Sequence, residues 1–140
     1  MNLNKLSIIV LLLLSFCACH NNEDDSDVTN HERAVTISVK YKDQNGVHID
    51  GDARIYIYYG IYSADLANYN YSSEGVFTFR EQKIVPDIKI QAKGEENIST
   101  VLESTKKITI LVESSFLDRK ALESYSPGSM PIKSTFIFGE

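Results

Sequence analysis

The chain has few of the residues from which catalytic and metal sites are commonly built. It contains no tryptophan, two cysteines and three histidines in 140 residues. Both cysteines lie within the first 19 positions, so the rest of the chain can form neither a disulfide framework nor a cysteine-based zinc site. Only His48 falls in the segment predicted to fold, and one loop histidine does not make a Ser-His-Asp triad. These scarcities predict a protein that is not an enzyme and uses no cofactor.

Positive charge is also scarce. The chain has 14 Lys and Arg against 19 Asp and Glu, a formal net charge of −5. Without residues 1–18, which contain one lysine and no acid, 13 basic and 19 acidic residues remain, a charge of −6. Proteins that bind nucleic acid carry basic patches, so this composition argues against a nucleic-acid partner. The lack of tryptophan makes glycan binding less favoured, although tyrosine rings can also stack on sugars.

Long apolar runs are limited to residues 6–16, LSIIVLLLLSF. This run is about a dozen residues long, whereas a membrane-spanning helix needs about 20. Lys5 precedes this run and the small residue Ala18 follows it, which is the order of a secretory signal peptide. Two alternatives remain open, namely ordinary secretion with Cys19 as a free thiol and an uncleaved signal anchor.

The end of this leader, Phe16-Cys17-Ala18-Cys19, resembles the lipobox of bacterial lipoproteins, in which a small residue precedes the modified cysteine. Phe16 and Cys17 differ from the residues usual there, Leu and Ala or Ser. The resemblance implies that residues 1–18 are a signal peptide and that Cys19 is acylated on its sulfur and on its new amine. Two or more acyl chains hold a protein stably at a membrane, so we expect a lipid anchor at Cys19.

An acidic, polar stretch follows the cysteine, with Glu23, Asp24, Asp25 and Asp27 among Asn and Ser. Such a segment cannot bury enough apolar surface to fold, so residues 19–33 are predicted to be a disordered acidic tether. The cluster also resembles the acidic export signal of surface-exposed lipoproteins in Bacteroidota. That resemblance implies an outer-membrane location at the cell surface.

Residues 34–140 are predicted to form one all-β domain, because apolar and polar residues alternate along most of this segment. The pattern predicts seven strands: 34–42, 53–59, 76–80, 88–92, 98–102, 107–113 and 133–138. Residues 60–75 lack a clear period and are predicted to be a long loop, with one helical turn at 64–67 as the alternative. Ser115 and Asp118 resemble a capping box, so the sequence predicts one short helix at 116–124. The even spacing of short strands predicts a two-sheet sandwich.

One stretch resembles the carboxypeptidase-regulatory-like, or transthyretin-like, domains over residues 35–113. The matching segments are VKYKDQNG at 39–46, DARIYIY at 52–58, EGVFTF at 74–79 and DIKIQAK at 87–93. Ile88 stands where the family usually has an aromatic residue, and His48-Ile49 replaces its usual proline. The resemblance implies a seven-stranded, two-sheet sandwich that serves as a stalk, adhesion or assembly module. Any other small immunoglobulin-like sandwich is the alternative.

Acidic and amide oxygens are concentrated near the first turn, at Asp43, Asn45, Asp50 and Asp52. Calcium takes 6–8 oxygen ligands, but the spacing differs from the Asp-x-Asp-x-Asp-Gly order of a calcium loop. His48 and Asp50 could contribute two ligands to a metal, and a metal site needs three or four. Asx residues are common in turns for conformational reasons, so no metal site is predicted.

Tyrosine is the compositional exception, since six of the eight tyrosines lie between positions 56 and 71. If Ile55 and Ile57 face the core, alternation places Tyr56 and Tyr58 outward beside Arg54. Outward tyrosines next to a Tyr/Asn-rich loop have the composition of a recognition surface. The candidate binding surface comprises Arg54, Tyr56, Tyr58, Tyr62, Tyr69 and Tyr71. The alternative is structural, because tyrosines also stabilise sheets through cross-strand pairs and can cover the end of a sandwich.

Together these patterns predict a lipid-anchored, non-catalytic binding or adhesion module of the cell envelope, exposed at the cell surface. Its partners would be the membrane, through Cys19, and a protein or a glycan. The alternative is a structural accessory lipoprotein of an outer-membrane or secretion assembly, for which secretion-system lipoproteins with transthyretin-like folds are the precedent.

Overall fold

The structure is a computed structural model that describes residues 31–49, 51–94, 97–115 and 117–139. The predicted signal peptide, Cys19 and the tether up to residue 30 lie outside these residues. The described part of the chain is all-β, with ten strands and one 3-10 helix, Ser63–Asn68. The all-β class predicted from the sequence is therefore confirmed.

The strands differ in length from three to eleven residues. They are β1 (Glu32–Lys42), β2 (Asp52–Tyr59), β3 (Asn70–Ser72), β4 (Val76–Phe79), β5 (Gln82–Ile84), β6 (Ile88–Lys93), β7 (Asn97–Glu103), β8 (Ile108–Ser114), β9 (Lys120–Tyr125) and β10 (Ile132–Gly139). Each of the seven predicted segments is a strand, with ends that differ by one or two residues. The first strand begins at Glu32, so the last residues assigned to the tether belong to β1.

The strands form three sheets. Sheet A has the order β10-β1-β7, with β10 parallel to β1 and β7 antiparallel to it. Sheet B has the order β6-β2-β8-β9 and is antiparallel throughout. Sheet C is a small antiparallel meander in the order β3-β4-β5.

Sheets A and B pack face to face over the main hydrophobic core. Alternate residues of β1 and β2 point into it, which is the burial that a period of two produces in a half-buried strand. The buried members of this core are Val35, Ile37, Val39, Tyr41, Ala53, Ile55, Ile57, Ala92, Leu102, Ile108, Ile110, Val112, Ile132, Phe136 and Phe138.

Sheet C covers the opposite face of sheet B and creates a second, smaller core. Its buried members are Tyr56, Tyr58, Leu66, Phe77 and Leu111. Sheet B is thus the middle of three layers. This explains why β8 is buried at five consecutive positions, since strands covered on both faces carry continuous apolar runs.

The helix predicted at 116–124 is wrong; Phe116 lies outside the described residues, and residues 120–125 form β9. β9 pairs with β8 in the register Leu111↔Leu122. Leu122 packs on the second core, whereas Ala121 and Tyr125 pack on the main core. Pairing with β8 and burial on two faces therefore override the local capping signal around Ser115.

Two further predictions are wrong, namely the number of strands and the long loop at 60–75. Strands β3, β5 and β9 bring the total to ten rather than seven. The segment predicted as a loop at 60–75 contains both the 3-10 helix and β3. The 3-10 helix is held at its start by Asp65, whose carboxylate accepts a hydrogen bond from the backbone N–H of Tyr62 at 2.8 Å.

Candidate functional site

Tyr56 and Tyr58 were predicted to face outward, and this prediction is wrong. They do lie on the face of β2 opposite Ile55 and Ile57, as alternation requires. However, sheet C covers that face, so Tyr56 is only 2% exposed and Tyr58 is fully buried. Neither ring offers contact area to a partner.

Tyr58 joins the middle layer to sheet C. Its hydroxyl donates a hydrogen bond to the carbonyl of Gly75, in the turn between β3 and β4. Its ring meets that of Phe77 edge-on, with the centroids 5.9 Å apart. A buried phenol that has found an acceptor combines a large apolar contact with a satisfied polar group.

The other tyrosines of the candidate surface are half-buried and have structural partners. The ring of Tyr71 packs edge-on against Phe77 at 5.2 Å, and its hydroxyl accepts the N–H of Gly75 at 3.2 Å. The Tyr69 hydroxyl donates to Gln82 at 2.7 Å. The ammonium of Lys107 lies 4.3 Å from the ring centre of Tyr62. These contacts favour the structural interpretation of the tyrosine cluster over direct recognition.

Among the candidate residues, only Arg54 lies where sheet C leaves the outer face of sheet B open. It belongs to a row of polar side chains at matching register positions on all four strands of sheet B, next to the area that sheet C covers. We call this set the Arg54 row; its members are Gln91 on β6, Arg54 on β2, Glu113 on β8 and Lys120 on β9.

The members of the row contact one another and the buried tyrosine beside them. Arg54 Nε lies 3.4 Å from Glu113 Oε2, and the two side chains are 44% and 18% exposed. The Tyr56 hydroxyl donates to the same carboxylate oxygen at 3.4 Å. The ammonium of Lys120 lies 4.6 Å from the ring centre of Tyr71. The row is therefore held in place from below and remains open above.

Two concavities of about 360 Å³ each flank Arg54. The first lies toward the segment that joins β8 to β9 and is lined by Arg54, Tyr71, Glu113, Ser114, Ser115, Leu117, Asp118, Arg119 and Lys120. The second lies toward β6 and the β3–β4 turn and is lined by Arg54, Tyr56, Glu74, Lys89, Ile90 and Gln91. Each volume is within the range that holds a small ligand.

Burial changes the acidity of the tyrosines beneath the row. Burial raises the pKa of Tyr71 to about 12, the hydrogen bond from Gly75 opposes this, and the charge of Glu113 adds to it. Burial also raises the pKa of Tyr56, with Glu113 acting in the same direction and Arg54 against it. These phenols therefore stay protonated in the fold at pH values where an exposed tyrosine ionises.

The raised pKa of Tyr71 predicts a loss of stability at alkaline pH. In the unfolded chain its pKa is near 10, and in the fold it is about 12. Between these values the unfolded chain has lost a proton that the folded chain keeps, so the free energy of unfolding falls as pH rises. Urea unfolding of the wild type and of Tyr71→Phe at pH 8 to 12 measures the effect. The decline should be shallower in Tyr71→Phe, and equal slopes would contradict it.

The oxygen-rich turn after β1 is explained by its own backbone. One carboxylate oxygen of Asp43 accepts the N–H groups of Asn45 and Val47, at 2.9 and 2.7 Å. This is an Asx-turn arrangement, which satisfies the carboxylate locally. Asp50 lies outside the described residues. Among the residues that are described, no group of three or more His, Cys, Asp or Glu side chains is arranged to hold a metal ion.

Sequence reasoning found Arg54 but missed Gln91, Glu113 and Lys120. Alternation within each strand shows which face each residue occupies, but it does not show which strands are neighbours. The four residues meet only because β6, β2, β8 and β9 pair in one register. A sequence signal existed for two of these residues, since Gln91 is on the polar side of the alternation in β6 and Glu113 follows an apolar run in β8.

Comparison with protein-family models, with curated protein sequences and with solved structures finds no match to this chain. Within the described ranges, no helix has the length and hydrophobicity required to span a membrane.

Proposed function

We propose that this chain is a lipid-anchored, non-catalytic binding module of the bacterial cell envelope, displayed at the cell surface. The observation that carries the binding role is the Arg54 row, an open set of polar side chains between two concavities. The contacts beneath the row hold its side chains in place before a ligand arrives, which lowers the entropic cost of binding.

The domain type and the anchor complete the proposal. Sheets A and B form a sandwich-like pair, which supports a domain of the transthyretin-like kind with sheet C as an addition on its outer face. The leader, the lipobox resemblance at Cys19 and the acidic cluster after it support export and anchoring. The function remains non-catalytic in this proposal because Glu113, the acid at the centre of the row, contacts Arg54 and Tyr56 rather than a nucleophile and base.

The anchor and the display are tested together by adding protease to intact cells. We expect wild-type protein to be membrane-bound and cleaved from outside, because two or more acyl chains at Cys19 would retain it at the outer face of the cell. Cys19→Ala should be lost from the membrane fraction, and Cys17→Ala is the matched control that should behave as wild type.

Two other outcomes would count against parts of this proposal. Membrane association of the Cys19→Ala variant would contradict the lipid anchor. Protection of membrane-bound wild type from external protease would contradict surface display and favour the alternative, a structural accessory lipoprotein inside the envelope. A cell permeabilised before protease treatment shows whether the folded domain is cleavable at all.

A further inference from the structure

The Arg54 row crosses the sheet at right angles to the strands. Neighbouring strands lie about 4.8 Å apart, so the four side chains extend over about 14 Å. The spacing between neighbouring side chains of the row, about 4.8 Å, is comparable with the length of one sugar residue in an oligosaccharide. The backbone groups beneath Arg54 and Glu113 are used in the pairing of β2 with β8. A ligand at the centre of the row would therefore contact side chains only.

The chemistry of the row alternates between donors and acceptors. Gln91 can donate and accept, Arg54 and Lys120 only donate, and ionised Glu113 only accepts. A sugar hydroxyl also donates and accepts, so a polyhydroxylated ligand can satisfy all four side chains. An inorganic anion such as phosphate would use mainly the donors, whereas a sugar chain also brings hydroxyl groups that can donate to Glu113.

The charge around the row is opposite in sign to that of the chain. Four cationic side chains and three acidic ones line the two concavities, whereas the whole chain has a net charge of −5. Lys89 is paired with Glu74 at 3.6 Å. By contrast, no acidic side chain of the described residues lies within ion-pair distance of Arg119 or Lys120. The cations of the two concavities outnumber the acids by one, which favours a ligand that carries negative charge.

An acidic peptide fits this geometry less well than a sugar chain. An extended peptide gains its affinity by adding to the edge of a sheet, where main-chain groups are free to bond it. The centre of the row, Arg54 and Glu113, lies on β2 and β8, the two inner strands of sheet B. Main-chain recognition is therefore absent at the place where the side chains converge.

We propose that the Arg54 row binds an oligosaccharide that carries carboxylate groups, such as a chain of uronic acids. This inference rests on the proposed binding function and names its site and ligand class. The two terminal guanidinium nitrogens of Arg54 would pair with one carboxylate in bidentate geometry, while its Nε stays beside Glu113. The remaining lone pairs of Glu113 would accept sugar hydroxyls. Lys120 would bind a second carboxylate.

The test is calorimetric titration of the full-length chain, purified in detergent, with a short oligogalacturonate and with a hyaluronan fragment. We expect at least one of these charged oligosaccharides to bind saturably, with an affinity that falls as salt is added. For oligogalacturonate, the neutral methyl ester should bind at least about tenfold more weakly, because it keeps the hydroxyls and loses the charges.

Variants locate the site. Arg54→Met and Lys120→Met keep the apolar stems and remove the charges, and each should weaken binding at least about tenfold. Lys133→Met is the matched control, since Lys133 is an exposed strand lysine on the outer face of sheet A. It should bind as wild type. Thermal unfolding of each variant verifies that it is folded.

The proposal is overturned if neither charged oligosaccharide binds, or if Arg54→Met binds as well as wild type while folded. A polyglutamate peptide that binds in an Arg54-dependent way would overturn the sugar assignment and leave the binding module in place. The anchoring experiment with Cys19→Ala does not depend on any of these results. Failure of the ligand class and failure of the proposed function are therefore distinguishable.

Discussion

Replacement of Tyr58 by alanine is expected to lower the free energy of unfolding by about 3–5 kcal/mol, as is typical when a buried aromatic residue is truncated. Tyr58 is fully buried between sheet B and sheet C, and its hydroxyl holds the β3–β4 turn through Gly75. The loss should be greatest in sheet C, because the main core between sheets A and B does not contain this ring. Urea unfolding measures the total, and hydrogen exchange shows where protection is lost.

Tyr58→Phe is the matched control, since it keeps the ring and removes only the hydroxyl. It should cost about 1–3 kcal/mol, the penalty for leaving a buried carbonyl without its donor. In Tyr58→Ala, amides of residues 70–84 should exchange faster than those of β1 and β7. Uniform loss of protection over all strands would show that sheet C is not a separate layer energetically.

Gly75→Ala is expected to destabilise the protein by about 2–5 kcal/mol. Gly75 has a φ of 77°, and a non-glycine residue in this left-handed region costs about 1–2 kcal/mol. A Cβ atom at Gly75 would also lie 2.6 Å from two ring atoms of Tyr56, which is buried and cannot move away. Overpacking of this kind adds about 1–3 kcal/mol. The change in urea midpoint, with an unchanged m-value, is the measurement.

Gly46→Ala separates the two causes. Gly46 has nearly the same φ, 78°, and nothing lies within 4 Å of the position its Cβ would take. It should therefore show only the conformational cost, about 1–2 kcal/mol. If Gly75→Ala and Gly46→Ala unfold at the same urea concentration, the close approach of Gly75 to Tyr56 does not lower stability. Sheet C would then pack on sheet B less tightly than the distances around Gly75 indicate.

These two predictions affect how binding should be tested. Replacement of Tyr56 and Tyr58 by alanine would remove the packing of sheet C on sheet B. A loss of ligand binding in these variants would therefore not distinguish a folding defect from a lost binding contact. The exposed charges of Arg54 and Lys120 can be removed without opening either core. They are therefore the positions at which a binding defect and a folding defect can be told apart.

Seven of the ten strands were predictable because each follows from a pattern within a few residues. Val35, Ile37 and Val39 alternate with polar residues, and a period of two is a local property that survives any choice of partner strand. The turn before β4 lies at Glu74-Gly75, where both residues have positive φ values. β9 was not predictable, because its strand conformation comes from pairing with β8 rather than from its own sequence.

The candidate site was predictable only at Arg54. Tyr56 and Tyr58 were assigned to the correct face of β2 but to the wrong environment, since a sequence pattern that identifies two faces does not show that both are covered. The amino-acid order by itself determined seven of the ten strands, the core face of β2 and the exclusion of disulfides from the domain. Only the tertiary structure decided that a third sheet buries the tyrosines and that four distant residues form the Arg54 row. The physical reason is that strand pairing and layer packing join residues far apart in the chain, whereas periodicity and turn chemistry act between near neighbours.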